Sequence, residues 1–363
     1  MANRECCVLM KLAVLCVFVV TVAGGCSSGG SGAPGTGGTT TTTGGSTSTS
    51  DGATGDSGTA DATGSSGAMQ YWQSVASSAD GTKLVVVSIG IGNDDGGYIY
   101  TSGDSGATWT QTGTQQFWQS VASSADGTKL VAVSIGIGND AGGYIYTSGD
   151  SGVTWTQSGS QHLWQSVASS ADGTKLVAVA WYDTDYSDGY IYTSSDSGST
   201  WTQTGTQNYW TSVASSADGT HLVAVAAYGY IYTSGDSGAT WTQTGPQRYW
   251  TSVASSSDGT EMVAVVNPGY IYTSANSGAR WTQTGSQQLW QSVASSSDGT
   301  KLVAVVNPGY IYTSSDSGAT WTQTGSQETW TSVASSSDGT KLAAVADHIY
   351  TSADSGATWT QRL

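Results

Sequence analysis

Residues 118–163 read WQSVASSADGTKLVAVSIGIGNDAGGYIYTSGDSGVTWTQSGSQHL, and the same order of features starts again at Trp164. A Trp opens the unit. An Asp-Gly-Thr turn, an apolar run, a Tyr-Ile-Tyr run and a second turn ending in another Trp follow. The opening Trp recurs at Trp72, Trp118, Trp164, Trp210, Trp250, Trp290 and Trp330, at steps of 46 residues three times and 40 three times. A fixed period of this size marks stacked modules, each too small to bury its own apolar face. Within the quoted unit, 120–123, 130–134, 144–147 and 154–157 are rich in Val, Ile, Tyr, Thr and Trp and are bounded by Gly, Asp, Ser and Asn. That composition and punctuation predict four strands per unit.

Four strands joined by tight turns make one blade, and a closed ring of blades protects the sheet edges that an open stack leaves unpaired. The expected architecture is therefore all-β: a seven-bladed β-propeller of four-stranded antiparallel blades over residues 69–363. A solenoid is the competing arrangement, but strands linked as meanders suit a blade better.

Two turn motifs recur with physical reasons attached. Asp-Gly-Thr, at Asp80, Asp126, Asp172, Asp218, Asp258, Asp298 and Asp338, always precedes the apolar run. Gly accepts positive φ and Asp can bond the backbone ahead of it, so this is the turn between strands one and two. The second motif is Ser-x-Asp-x-Gly-x-Thr-Trp, as in Ser102, Asp104, Gly106, Thr108 and Trp109. It returns around Asp150, Asp196, Asp236, Asp316 and Asp354, and in degenerate form around Asn276 and Arg280. This motif resembles the Asp-box, or BNR repeat, of sialidases, some endoglucanases, sortilin-type receptors and photosystem II assembly factors. The resemblance covers all seven units. It implies that the box is the turn between strands three and four, that its Asp bonds turn amides, that its Trp packs between blades, and that it sits away from the functional face. The seven box residues are accordingly expected to be structural.

Ahead of the repeats, residues 1–25 have the form of a secretory leader. Arg4 and Lys11 precede a short apolar run over 12–23, too short to span a bilayer. Val22-Ala23-Gly24-Gly25-Cys26 resembles a bacterial lipobox, which implies cleavage before Cys26 and its lipidation; Ala23 departs from the usual Leu. Residues 26–68 are mainly Gly, Ser, Thr, Ala and Asp, a composition expected to remain a disordered tether. The other cysteines, Cys6, Cys7 and Cys16, lie inside the leader, so no disulfide is expected in the mature chain. The expected location is exported: outer membrane or cell surface by lipid anchor, otherwise periplasmic or secreted.

The chain carries a formal charge of -16. After the leader its basic residues are Lys83, Lys129, Lys175, Lys301, Lys341, Arg248, Arg280 and Arg362. No basic stripe is available for nucleic acid, and membrane contact is expected only through the lipid anchor. A monomer is expected.

Function should lie where the repeats differ, because identical groups around a ring face seven different places. Before each opening Trp stand Gln70-Tyr71, Gln116-Phe117, His162-Leu163, Asn208-Tyr209, Arg248-Tyr249, Gln288-Leu289 and Glu328-Thr329. The loops between strands two and three are long in the first three units and short afterwards, and the third holds Trp181, Tyr182, Asp183, Asp185, Tyr186 and Asp188. Both sets belong to one face. The candidate ligand-binding residues are Tyr71, Phe117, His162, Trp181, Tyr182, Asp183, Asp185, Tyr209, Arg248, Tyr249 and Glu328. Aromatic platforms beside amides and carboxylates suit sugar rings or exposed peptide, so the expected partner is a glycan or an envelope protein. No cofactor or metal is expected. Ca²⁺ held by Asp183, Asp185 and Asp188 is the one alternative, and their spacing matches no complete calcium loop.

Resemblance to sialidases implies three arginines gripping a carboxylate, a Tyr nucleophile with a Glu partner and an Asp acid/base. Here Arg280 lies in a box turn, Arg362 is one residue from the last, and Arg248 alone falls on the candidate face. A more general glycosidase needs two carboxyl groups about 5–10 Å apart. Glu328 and the Asp183–Asp185–Asp188 group fall in opposite sectors of the ring. His162, His221 and His348 show no metal-ligand spacing. A binding module is the first expectation, with a sialidase-like or endoglucanase-like hydrolase and an envelope assembly factor as alternatives.

Overall fold

The computed structural model describes residues 70–90, 96–136, 142–182 and 187–363. The leader, Cys26, the tether, Asp183 and Asp185 lie outside them. In blade 1 the strands Trp72–Ser77, Leu84–Ser88, Gly97–Ser102 and Thr110–Gln116 pair antiparallel in chain order. The same meander repeats through seven blades. A single strand, Thr156–Ser169, is both the outer strand of blade 2 and the inner strand of blade 3.

Each strand's sequence fits its place in the blade. Inner strands of successive blades touch all the way round, the seventh meeting the first. The second strand, LVVVS in blade 1, is buried at every residue because both of its faces are covered by neighbouring blades. Outer strands such as TQTGTQQ are polar and largely exposed. Strand four begins after the box Trp, not at Thr154 as the sequence pattern suggested: the Asp150 carboxylate takes both the amide and the hydroxyl of Thr154, at 2.8 and 2.6 Å, and holds that residue in the turn.

The core is distributed between the blades. One cluster joins Val85, Val87 and Ile99 of blade 1 to Trp118, Val121, Leu130 and Ala132 of blade 2, with Trp155 partly buried against them. The seam has the same kind of cluster: Trp72, Val75, Leu84 and Val86 pack on Ala334, Ala343, Val345 and Ile349. The ring thus shuts by packing of blade 7 against blade 1.

Two closed circuits of hydrogen bonds reinforce it. On the turn face, backbone N–H groups of Ala79, Ala125, Ala171, Ala217, Ser257, Ser297 and Ser337 each donate to the equivalent carbonyl of the next blade at 2.7–2.8 Å, and Ser337 returns to Ala79. Deeper in, Ser74 Oγ accepts from Val121 N at 3.3 Å; the relation repeats in every blade and ends with Val75 N on Ser332 Oγ. Because the first circuit pairs backbone with backbone, it holds neighbouring blades at a fixed rotation whatever their side chains.

Candidate functional site

The turn face is occupied by its own bonding. Asp80 Oδ1 accepts from Thr82 N at 2.9 Å and Ser78 Oγ at 2.6 Å, while Gly81 turns the chain at a φ of 67°. Asp104 accepts from Thr108 N at 2.8 Å, Thr108 Oγ1 at 2.6 Å and Ser102 Oγ at 2.8 Å, with Ser105 and Gly106 both at positive φ. These donors stabilise the ionised form, holding Asp80, Asp104, Asp126, Asp172, Asp236, Asp258, Asp338 and Asp354 at about 2. Asp150, Asp196 and Asp316 are lowered for the same reason. Asn276 keeps the turn, accepting from Arg280 N at 2.9 Å, without the charge. Carboxylates whose oxygens are filled by their own turn have little left for a ligand.

Lysines seal the blade joints on this face. The Lys341 stem lies so close to Gly81 that a Cβ there would come within 2.7 Å of it; Lys83 covers Gly127 and Lys129 covers Gly173 in the same way. In blades 4 and 5 the position is His221, over Gly259, and Glu261, over Gly299. Burial first, and Asp258 second, push the Glu261 carboxyl up.

On the opposite face, the strand connections separate into two positions with different fates. In four of the pairs, those of His162, Asn208, Arg248 and Glu328, the first residue turns into the neighbouring blade and meets the Tyr of its third strand. His162 is 7% exposed, lies 4.9 Å from the Trp164 ring and 4.7 Å from Tyr192, and its Nε2 is 2.7 Å from Ser160 Oγ. Asn208 Nδ2 donates to the Tyr232 hydroxyl at 3.2 Å, and Arg248 Nε to that of Tyr272 at 3.4 Å. Tyr350 donates to Glu328 Oε1 at 3.3 Å. His162 is therefore core, contrary to its reading as a ligand contact. Asn208, Arg248 and Glu328 are links between blades.

The second residue of each pair faces the surface. Tyr71 is 50% exposed, and Phe117, Tyr209 and Tyr249 are half-buried. Tyr209 and Tyr249 pack with the two-to-three loops of the blades they leave, and in blades 3 and 4 this makes an aromatic ledge. Trp181 and Tyr182 stand 6.1 Å apart, Trp181 and Tyr209 6.1 Å, and Tyr182 and Tyr209 5.4 Å, at interplanar angles of 61°, 46° and 74°. Asp188, bridged to Tyr182 across the base of the loop, raises the Tyr209 phenol through a hydrogen bond that the hydroxyl donates and through its charge. In blade 4 Tyr228 and Tyr249 repeat the contact at 4.7 Å and 60°.

Tyr228 is the residue the sequence pattern missed. It sits at a φ of 55° in the tight turn between strands two and three and is 72% exposed. Ala227-Tyr228-Gly229 stands where blades 5 and 6 have Asn267-Pro268-Gly269 and Asn307-Pro308-Gly309, and that departure is the signal that could have found it. Among the described residues no cluster of three His, Cys, Asp or Glu side chains could hold a metal ion.

No protein-family model matches the sequence, and no curated protein matches it. Solved structures do. YCF48 from Cyanidioschyzon merolae superposes with a TM-score of 0.58 at 14% identity, over 79% of this chain and 96% of that one. YCF48 bound to D1 peptide superposes at 0.54 and 16% identity, over 79% and 92%. The chain is a β-propeller. At such low identity the likeness speaks for the fold alone.

Proposed function

We propose that this chain is an exported, lipid-anchored propeller of the Asp-box type that binds a protein segment on the face carrying the strand connections, across the aromatic ledge of blades 3 and 4. The observation that carries this reading is the ledge itself: Trp181, Tyr182 and Tyr209 beside Asp188, continued by Tyr228 and Tyr249. Rings held by one another present apolar surface with little rotamer entropy to lose on binding. A propeller neighbour was solved with a peptide bound, which favours a protein ligand over a glycan. The leader, Cys26 and the tether would place the ring outside the cytoplasm, held off a membrane.

The test is a pair of arrays, peptide and glycan, probed with the full mature chain, its Trp181→Ala variant and its Tyr228→Ala variant, with thermal melts beside them. Saturable peptide binding, weakened at least about tenfold in Trp181→Ala with a nearly unchanged melting point, is the expected result. Tyr228→Ala should reduce it less. Saturable glycan binding without peptide binding would make the ledge a sugar platform instead. A folded sample blank on both arrays would remove the reading.

A further inference from the structure

Resting on the ledge as the binding site, we infer that the protein segment it takes is basic and lays a Lys or Arg side chain on the rings beside Asp188.

The first argument is local. An aromatic ring face attracts a cation placed within about 6 Å of its centroid, most strongly for Trp. The mutual tilts of Trp181, Tyr182 and Tyr209, 46–74°, keep the three rings from stacking face to face. Trp181 and Tyr209 remain half-buried, with surface still open to solvent. A neutral aliphatic side chain would gain only burial there. A guanidinium or ammonium would gain burial of its stem as well as the attraction of the ring.

Asp188 supplies the second argument. Its carboxylate accepts the Tyr209 hydroxyl. An ionised carboxylate offers about four lone-pair directions, so one phenol leaves room for a donor from a ligand. The residue is half-buried at the foot of the loop, where water screens it less than at a loop tip. A charge-assisted bond to Arg could there be bidentate, which fixes direction as well as adding energy.

The third argument is the field over this face. Among the described residues it carries Asp188, Glu328 and Asp347 against Arg248. Arg248 is already engaged, Nη1 donating to Gln247 O at 2.8 Å and Nε reaching the Tyr272 hydroxyl. The lysines of the propeller sit after the Asp-Gly-Thr turns on the other face, where they seal blade joints. An acidic segment would meet like charge across the whole approach. A basic one would be steered in, with an association rate that falls as salt rises.

The experiment is fluorescence anisotropy with three labelled decapeptides of one Gly-Ser backbone, bearing Arg, Gln or Glu at the same four places, added to the full mature chain at low and at high salt. The Arg peptide is expected to bind at least about tenfold tighter than the Gln peptide, with the Glu peptide weakest and the gap narrowing in salt. Asp188→Asn should weaken the Arg peptide by about fivefold or more and leave the Gln peptide unchanged, while Trp181→Ala weakens both. Equal binding of the Arg and Gln peptides, both lost in Trp181→Ala, would overturn the basic partner and leave the ledge as a peptide site. Arg-peptide binding that survives both substitutions would reduce the effect to net charge and overturn the assignment to this site. If none of the three binds while arrays return neutral or acidic peptides dependent on Trp181, the charge inference falls. If arrays return no peptide at all, the proposed function falls with it.

Discussion

Trp118 and Trp290 occupy equivalent places in two blade joints, paired across the strand with Ser134 and Val306, and only the second has a bonded indole N–H, so replacing each by Phe probes that bond. Both are fully buried. Trp118 packs among Val85, Val87, Ile99, Val121, Leu130 and Ala132, and Trp290 among Val263, Val265, Ile271, Val293, Leu302 and Ala304. Their stacking agrees as well: Tyr146 lies 5.0 Å from Trp118 at 73°, and Tyr312 lies 5.1 Å from Trp290 at 71°. Lost volume should therefore cost the two variants nearly the same. The Nε1 of Trp290 donates to Ser286 O at 3.1 Å, whereas the buried Nε1 of Trp118 has no partner. Trp290→Phe gives up a bond worth about 1 kcal/mol net, and Trp118→Phe removes a desolvated N–H whose burial costs roughly 1–3 kcal/mol. The second variant should be the more stable by about 2 kcal/mol or more. Urea unfolding monitored by far-UV circular dichroism measures the difference, which in a melt is a gap of roughly 4 °C or more for a ring of this size. Equal losses, or a larger loss in Trp118→Phe, would refute the reasoning and mean that the Trp118 N–H finds a partner in solution.

Three further outcomes follow from the charges and the ledge. The turn carboxylates are depressed to about 2 in the folded ring against about 3.9 unfolded, so their contribution is complete above the unfolded value and lost as pH falls through the folded one. The urea midpoint should be flat near neutral pH and collapse between about pH 4 and pH 2; a midpoint unchanged at pH 2 would contradict it. Glu261 has the opposite sign, its raised carboxyl opposing folding as pH rises through it, so Glu261→Lys, restoring the stem that covers the next turn in most blades, should stabilise by roughly 0.5 kcal/mol at neutral pH and low salt, and less at pH 4. Asp104→Ala should lower the melting point and leave peptide affinity unchanged, an affinity loss at constant melting point being the outcome that speaks against a structural turn.

Much of the fold could be read because each unit states it again. Seven opening Trp residues at near-constant steps, seven Asp-Gly-Thr turns and seven box turns give strand number, turn positions and blade count from chemistry that acts within a few residues. The candidate face was legible only as a face. At the strand connections the sequence gives no sign of which residue of each pair looks outward. His162 and Tyr209 read alike as variable groups next to a Trp, yet one is packed between Trp164 and Tyr192 and the other lies on the ledge. Tyr228 falls in one of the short two-to-three loops, where Ala227-Tyr228-Gly229-Tyr230 continues an apolar run and nothing local marks the turn at positive φ.

What the sequence determined by itself is whatever depends on near neighbours in the chain: the meander, its turns, the Asp residues that saturate themselves within them, and the buried second strand. What the tertiary structure alone decided is the angle between blades. That angle is set by the closed circuit of backbone bonds from Ala79 round to Ser337 and by the interlocking of each Trp with the strands before it. The same rotation sends His162 into the next blade's tyrosine and leaves Tyr209 to build a surface with the loop of the blade it has just left, a contact across 28 positions for Trp181 and 27 for Tyr182, a neighbourhood that no local pattern encodes.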